Sequence, residues 1–564
     1  MLAMLRLSRE ARAGVFGLGT ALLVSCSTRH GAPPAGSLGT PSPVGTNPAE
    51  TIPTSNETAV TAYRNPILPG TTPDPSAVRV GDDFYLVVSS FEYFPGVPIY
   101  HSRDLVHWRQ IGHVLTRESQ LKLLGVQSSK GIFAPTLRYH DGTFYMVTTN
   151  MEGGGSFYVT ATDAGGPWSD PIWVREDVFT MDPSLLFDDD GRVYYTRHGD
   201  GRHGAIYQAE IDIATGRLFD APRKIWDGTG GIWPEGPHLY KVDGNYYLMI
   251  SEGGTSYDHM VTVARSNSPW GPFEPNPRNP ILTHSNRPEH PIQATGHADL
   301  LQSAQGRWWM VLLGIRPSTP RCHHIGRETF LAPVTWKEGW PVVNRGEPIE
   351  LEMSGAGLPP PHPWPEPPAR EQFDRPTLGV EWSYVRQRRA DAYSLKERPG
   401  FLRLRGTDAS AQDVASPTMV LRPQQHHRVT ISTELEMTPK LGQSAGLVVR
   451  GNEDNHYTLL LTGTRAGRNV VLTTRIAGQT REVARQPAPD GAVVLIIEGH
   501  PDRYEFFLAG TSGEQTKLGE APTTPFAYEV TGSFTGAYVG MYAHTDHATD
   551  PAIADFAWFE RQPR

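Results

Sequence analysis

Only two cysteines occur in the sequence, Cys26 and Cys322. That excludes a disulfide framework as the source of stability. Cys322-His323-His324 is the one short Cys/His cluster. It lacks a second ligand group at zinc spacing, so a zinc site is not expected. No basic stripe is present, and the net charge is −9 with the signs scattered. Nucleic acid is therefore not an expected partner. The apolar run "AGVFGLGTALLVSC" near the start is too short to serve as a mature membrane span.

What is abundant is glycine (57), proline (50) and aromatic residues (10%). This mixture predicts short strands and many turns rather than long helices, and 564 residues are too many for one ordinary core. Two large domains are expected. Ahead of them, Arg6, Arg9 and Arg12 precede the short apolar run, the pattern of an export signal. Leu23-Val24-Ser25-Cys26 resembles a bacterial lipobox, which implies cleavage before Cys26 and lipid on its sulfur. Residues 1–25 are thus expected to be a lipoprotein-type signal, with plain secretion as the alternative. Residues 26–60 are rich in Ser, Thr, Pro and Gly and read as a disordered tether. The expected location is the bacterial envelope, lipid-anchored and exported, with the membrane touched only through Cys26.

One pattern then repeats. "DPSAVRVGDDFYLVVSS" from Asp74, "APTLRYHDGTFYMVTTN" from Ala134 and "DPSLLFDDDGRVYYTRHG" from Asp182 share one layout. "GPHLYKVDGNYYLMISEGG" from Gly236 and "HADLLQSAQGRWWMVLLG" from His297 share it too. Each reads as a strand, a tight turn and a second strand. The copies are spaced 48 to 61 residues apart, enough for about four strands each. Five tandem units predict an all-β, five-bladed β-propeller over residues 61–352. In such a fold the first strand of each unit lines one axis. Asp74, Asp182, Glu235 and His297 would then converge, although they are far apart in the chain.

An Asp before Pro is often only a turn residue. Acids at equivalent positions of three units are harder to read that way, because carboxylates gathered in one funnel repel one another. Most aromatic pairs, such as Phe84-Tyr85 and Trp308-Trp309, are expected inside the core. Phe91, Tyr93 and Phe94 fall at a strand end instead. There, Phe91 and Phe94 are expected as exposed rings that stack on a sugar. Paired carboxylates in a concave polar site suit glycosidic bond cleavage: one gives a proton to the leaving oxygen and one activates water. A third can hold the acid's pKa up.

"PDPS", "FPGVPIYHSRDLVHW", "GIFAPTLRYHDGTFYM", "MDPSLLFDDDGRVYYT", "PEGPHLYKVDGNYYLMISEGGT", "QATGHADLLQ" and "GRETFLAPV" follow in order. Together they resemble glycoside hydrolase family 43, in its β-xylosidase and α-L-arabinofuranosidase branch. The resemblance implies an inverting mechanism with Asp74 as general base, Glu235 as general acid and Asp182 as pKa modulator. It also implies that Arg327 binds the innermost sugar, that Phe91 and Phe133 wall its subsite, and that Thr255 lies near it. His297 would sit at the axis. Relatives hold a structural ion there, often Ca2+ and mainly through water; a histidine bonded to the acids or to water is the other reading. No cofactor is implied for the chemistry. Many β-xylosidases of the family carry "GIWAPHL" where this sequence has "GIFAPTL", so xylose and arabinofuranose both remain open as the released sugar.

Residues 353–370 hold seven prolines between Pro359 and Pro368 and read as a stiff linker. Over residues 371–564 apolar and polar residues alternate with period two, as in Val429, Ile431, Thr433 and Leu435. This predicts a β-sandwich. "FDRPTLGVEWSYVR" and "FTGAYVGMYAH" resemble the concanavalin-like domain that ends many β-xylosidases and can help close their pocket. The expected function is exo-acting release of terminal β-D-xylose or α-L-arabinofuranose from oligosaccharides. A non-catalytic sugar-binding lipoprotein and a retaining fructosidase-like propeller are the alternatives.

Overall fold

The computed structural model describes residues 62–564, apart from 176–179, 200, 511–512 and 548. The expected signal and tether lie outside the described residues. Strands dominate throughout, and the one α-helical segment among the described residues is the single turn Tyr528–Thr531.

Within residues 76–343, five antiparallel sheets follow one another along the chain, each of four or five strands. Their first strands are Ser76–Val80, Thr136–His140, Met181–Phe187, Glu235–Val242 and Gln293–Gln302. Every repeat noted in the sequence forms the hairpin it predicted, with registers such as Ser76↔Val87 and Thr136↔Val147. Asp141-Gly142 and Asp243-Gly244 each join two strands, with positive φ at both residues. That is the type I′ turn, whose twist matches the strands it links.

First strands of successive sheets touch, and that of the fifth touches that of the first. The sheets therefore close a circuit about one axis. The chain ends of the circuit fasten it: Ala62–Arg64 pairs with Glu352–Ser354, and Thr72 N–H donates to the Arg327 carbonyl at 3.0 Å.

Residues beyond 370 build two larger sheets, of eight and six strands. Val429, Ile431 and Leu435 face the core between them, as their spacing predicts. This sandwich is not a separate bead. Its apolar core is continuous with Phe94, Leu121, Val126 and Ile132 from the circuit. Tyr384–Val385 also pairs with Tyr93–Phe94 as a two-stranded sheet. The proline-rich segment is fixed as well. His362 N–H donates to Asp104 at 2.6 Å, and the Trp364 ring lies under Arg109, 3.9 Å from its guanidinium carbon.

Candidate active site

Asp74, Asp182 and His297 share a backbone feature that the repeats did not reveal. Each has positive φ, at 58°, 54° and 44°. Asp74 and Asp182 also precede prolines, a place that normally favours extended backbone. Ladder irregularities fall between Met181 and Ser184 and between Glu235 and His238. Such kinks re-aim side chains, and left-handed non-glycine residues persist only where their surroundings over-determine them. All these distortions sit at the same end of the first strands, so the acids turn toward one place.

Asp74 is buried and held on both oxygens. Arg327 Nη1 donates to Oδ1 at 2.8 Å, and Ser89 Oγ donates to Oδ2 at 2.6 Å. His297 Nδ1 lies 3.6 Å from Oδ1. Burial pushes the Asp74 carboxyl up, but Arg327, His297 and the Ser89 hydrogen bond outweigh it. The net direction is below its ordinary value of 3.8.

Asp182 Oδ2 accepts the Gly236 N–H at 3.1 Å, which ties it to the residue beside Glu235. Burial first, and then the charge of Asp74, raise its carboxyl, against the pull of His297 and His198. Glu235 is pushed well above 4.5 by burial, then by Asp182 and Asp74, with Arg327 opposing. Its Oε1 is 3.7 Å from His259 Nε2. Burial keeps that imidazole neutral, with its pKa down to about 3. One carboxyl is thus pulled toward its ionised form while another in the same cluster is pushed toward its protonated form.

Aromatic rings wall this cluster. Phe91 and Phe133 lie 5.6 Å apart, centroid to centroid. Phe534 of the sandwich stacks on Phe91 at 5.9 Å and meets Phe133 edge-on at 5.7 Å. The Arg327 guanidinium lies 5.8 Å from the Phe91 ring and 5.5 Å from that of Phe534. A cavity of about 150 Å3 adjoins them, lined by Thr255, His259, Arg327 and Tyr528. Its sandwich side is anchored by Glu529, which accepts hydrogen bonds from Tyr257 and His323, both at 2.9 Å. The cavity meets the acids through Arg327 and His259 rather than being lined by them, and larger clefts, of about 520 and 280 Å3, lie elsewhere on the molecule.

The structure brings together the expected residues Asp74, Asp182, Glu235, His297, Arg327, Phe91 and Phe133, with Thr255 beside them. Phe94 is a correction. Its ring is buried in the apolar core shared with the sandwich, so it packs the seam between domains and not a sugar. Phe91 is 2% exposed rather than open at a rim, because the sandwich roofs it. Ser89, His259 and Phe534 were not foreseen. Phe534 opens the segment "FTGAYVGMYAH", so its resemblance to a pocket-closing domain was the available signal. Ser89 and His259 carry no local signal of their own.

Calcium prefers six to eight oxygen ligands. Beside His297 the nearest carboxylate, Asp74, is already engaged by Arg327. The group of three ligand-type side chains within coordinating reach, among the described residues, is Glu498, His500 and Glu505 in the sandwich. Arg503 and Arg564 already neutralise those acids. The residues at His297 do not build a calcium shell from protein atoms. His323 and His324 are likewise engaged, with Glu529 and Ser318.

The comparisons agree with this geometry. Residues 63–341 match the model of glycosyl hydrolases family 43. Residues 370–562 match that of the beta xylosidase C-terminal concanavalin A-like domain. A Bacteroides ovatus protein named non-reducing end alpha-L-arabinofuranosidase BoGH43B is 45% identical over 505 residues, covering 88% of this chain and 94% of its own. A xylosidase/arabinosidase of Butyrivibrio fibrisolvens is 40% identical over 510 residues, covering 88% and 98%. Among solved structures, the Bacteroides ovatus xyloglucan-locus GH43B superposes with a TM-score of 0.85 at 44% identity, over 89% of this chain and all of the other. A xylan beta-1,4-xylosidase of Bacillus halodurans gives 0.83 at 37%, with the same coverage. The chain belongs to glycosyl hydrolase family 43 and carries that family's C-terminal concanavalin-like domain.

Proposed function

We propose that the chain removes single terminal pentoses from oligosaccharides with inversion, using Asp74, Glu235 and Asp182 as its catalytic acids. That it is a glycosidase of the xylosidase and arabinofuranosidase group follows from the relatives above. The residue roles rest on one arrangement: Arg327 bonds Asp74 and favours its charged form, while Asp182, tied to Gly236 N–H, sits beside Glu235 and favours its protonated form. Asp74, kept charged by Arg327, takes a proton from water as its oxygen attacks the anomeric carbon. Glu235, kept protonated, gives its proton to the departing glycosidic oxygen. Asp182 holds the Glu235 pKa up and, through Gly236 N–H, holds its strand in place.

We read the five sheets as the blades of a five-bladed propeller, supported by the cyclic contacts of their first strands. The roof formed by Phe534 supports exo-action, because a capped pocket admits a chain end and not a chain interior. Any calcium at His297 would be held through water with one protein ligand, and no step passes through it. Export and lipid on Cys26 belong to the same proposal and rest on residues 1–60 alone. Metabolic labelling with palmitate, lost in Cys26→Ser, checks that part.

Two assays test the function. Chromogenic xyloside and arabinofuranoside, side by side, should show turnover of at least one, abolished in Asp74→Asn. NMR of the first-formed anomer should show inversion. A retained anomer would point to a covalent intermediate, and an inactive wild type that still binds pentose would point to a binding protein.

A further inference from the structure

Phe91 holds a left-handed backbone, φ 48°, which an aromatic residue does not adopt unaided. Part of what fixes it is local: its N–H and C=O pair with Ile132 at 2.9 and 3.0 Å. The rest comes from the next residue. Glu92 is fully buried, and its Oε2 accepts the Ser129 N–H at 2.9 Å. Its Oε1 lies 3.3 Å from Nη1 of Arg450, a sandwich guanidinium that is itself 1% exposed.

Arg450 also donates to the Tyr93 hydroxyl at 3.1 Å and to Glu453 Oε1 at 2.7 Å. A second buried guanidinium, Arg386, donates to the same Glu453 oxygen at 2.6 Å, while its backbone N–H donates to the Glu92 carbonyl at 2.8 Å. Ser129, tied to Glu92 by its N–H, accepts the Phe534 N–H on its hydroxyl at 2.9 Å. One charged assembly therefore grips both the Phe91 wall and the Phe534 roof. Buried charges are costly, and a seam needing only adhesion could be built from apolar residues at less cost.

We propose that Glu92 and Arg450 are positioning residues: across the domain seam they fix Phe91, and through Ser129 they fix Phe534, so that the sandwich sets the fit of the sugar pocket. This rests on the pentosidase reading above. Neither residue touches the three acids, so loss should appear in binding that ground state and transition state share. Such a loss raises KM and spares kcat.

The test is kinetic, on the full chain with a chromogenic pentoside. Glu92→Gln and Arg450→Met should each raise KM roughly tenfold, the size of one lost aromatic contact, with kcat within about twofold. Arg450→Lys keeps the charge and should recover part of the loss. In a Phe91→Ala background, Glu92→Gln should add less to KM than it does alone, because only its hold on Phe534 through Ser129 is left to lose. Should Arg450→Met fail to fold, Glu92→Gln and Ser129→Ala carry the test, each near its parent in shape. Two results overturn the inference: unchanged KM in Glu92→Gln with a lowered melting temperature, or fully additive effects of Glu92→Gln and Phe91→Ala. An inactive wild type would instead remove the pentosidase reading, a result distinct from an active enzyme indifferent to Glu92.

Discussion

Arg327 Nη1 lies 2.8 Å from Asp74 Oδ1, although 253 residues separate them along the chain. The last sheet thus sets the charge of a residue that opens the first. Without the guanidinium, burial of Asp74 would no longer be outweighed, and its pKa would rise. Arg327→Met should move the acidic limb of the kcat/KM profile to higher pH. It should also lower activity at the optimum by roughly 10²-fold or more, the scale of a misplaced general base. An unmoved limb would separate Arg327 from the ionisation of Asp74.

On the proposed roles, the basic limb belongs to Glu235, which must keep its proton. Asp182 is the largest charge raising it. Asp182→Asn removes that charge, so the basic limb should shift to lower pH, opposite in sign to the Arg327 effect. The acids interact, and the limbs report apparent values of the group. Glu235→Ala should lose least on substrates with good leaving groups; equal losses across leaving groups would remove it as proton donor.

Stability should follow the same signs. Asp299 is held down at about 2 in the folded protein, by Arg138 against burial. A depressed carboxyl stabilises above its unfolded pKa of 3.8, and that gain fades as pH falls through about 2. The raised Glu235 and Asp182 act the other way: their share is present below their unfolded values and is lost as pH rises through the folded ones. Melting curves should show Glu235→Gln more stable than wild type at alkaline pH, with no such gain near pH ~4.

Beneath the acids, Arg138 Nη1 meets Asp299 at 2.9 Å, while Ser76 and Tyr240 each donate to Asp299 at 2.6 Å. Four of the five sheets meet at this point. Asp299→Ala strands the partly buried Arg138 guanidinium and should cost about 3 kcal/mol by denaturant titration. Arg138→Met with Asp299→Leu, which removes both charges, should cost much less. Equal losses would show that packing and not charge holds the axis.

Much of this was legible in the repeats. Turn chemistry at Asp141-Gly142 and period-two spacing at Val429 to Leu435 are local properties, and local properties can be read from a sequence. The acids were legible because a repeat makes distant positions equivalent. Phe94 was misread for the opposite reason. Three aromatic residues within four positions at a strand end look alike in sequence, and only the arrival of Tyr384 from the sandwich decides which ring packs the seam. Ser89 and His259 gain their meaning from acids of their own sheets, Asp74 and Glu235, which only the folded backbone brings within reach.

Most long-range bonds of residues 62–72 reach segments about 250 to 290 positions later. Tyr63 and Asn65 both donate to the Leu331 carbonyl, at 2.8 and 3.0 Å, and Thr329 Oγ1 donates to the Thr72 carbonyl at 2.6 Å. A growing chain would hold this early stretch without its partners until nearly the whole circuit had been made. Closure is then a late, all-or-none event with a high entropic toll on loop formation, which predicts slow refolding. Cutting away these eleven residues would unlatch the assembly at the spot where Arg327 reaches Asp74.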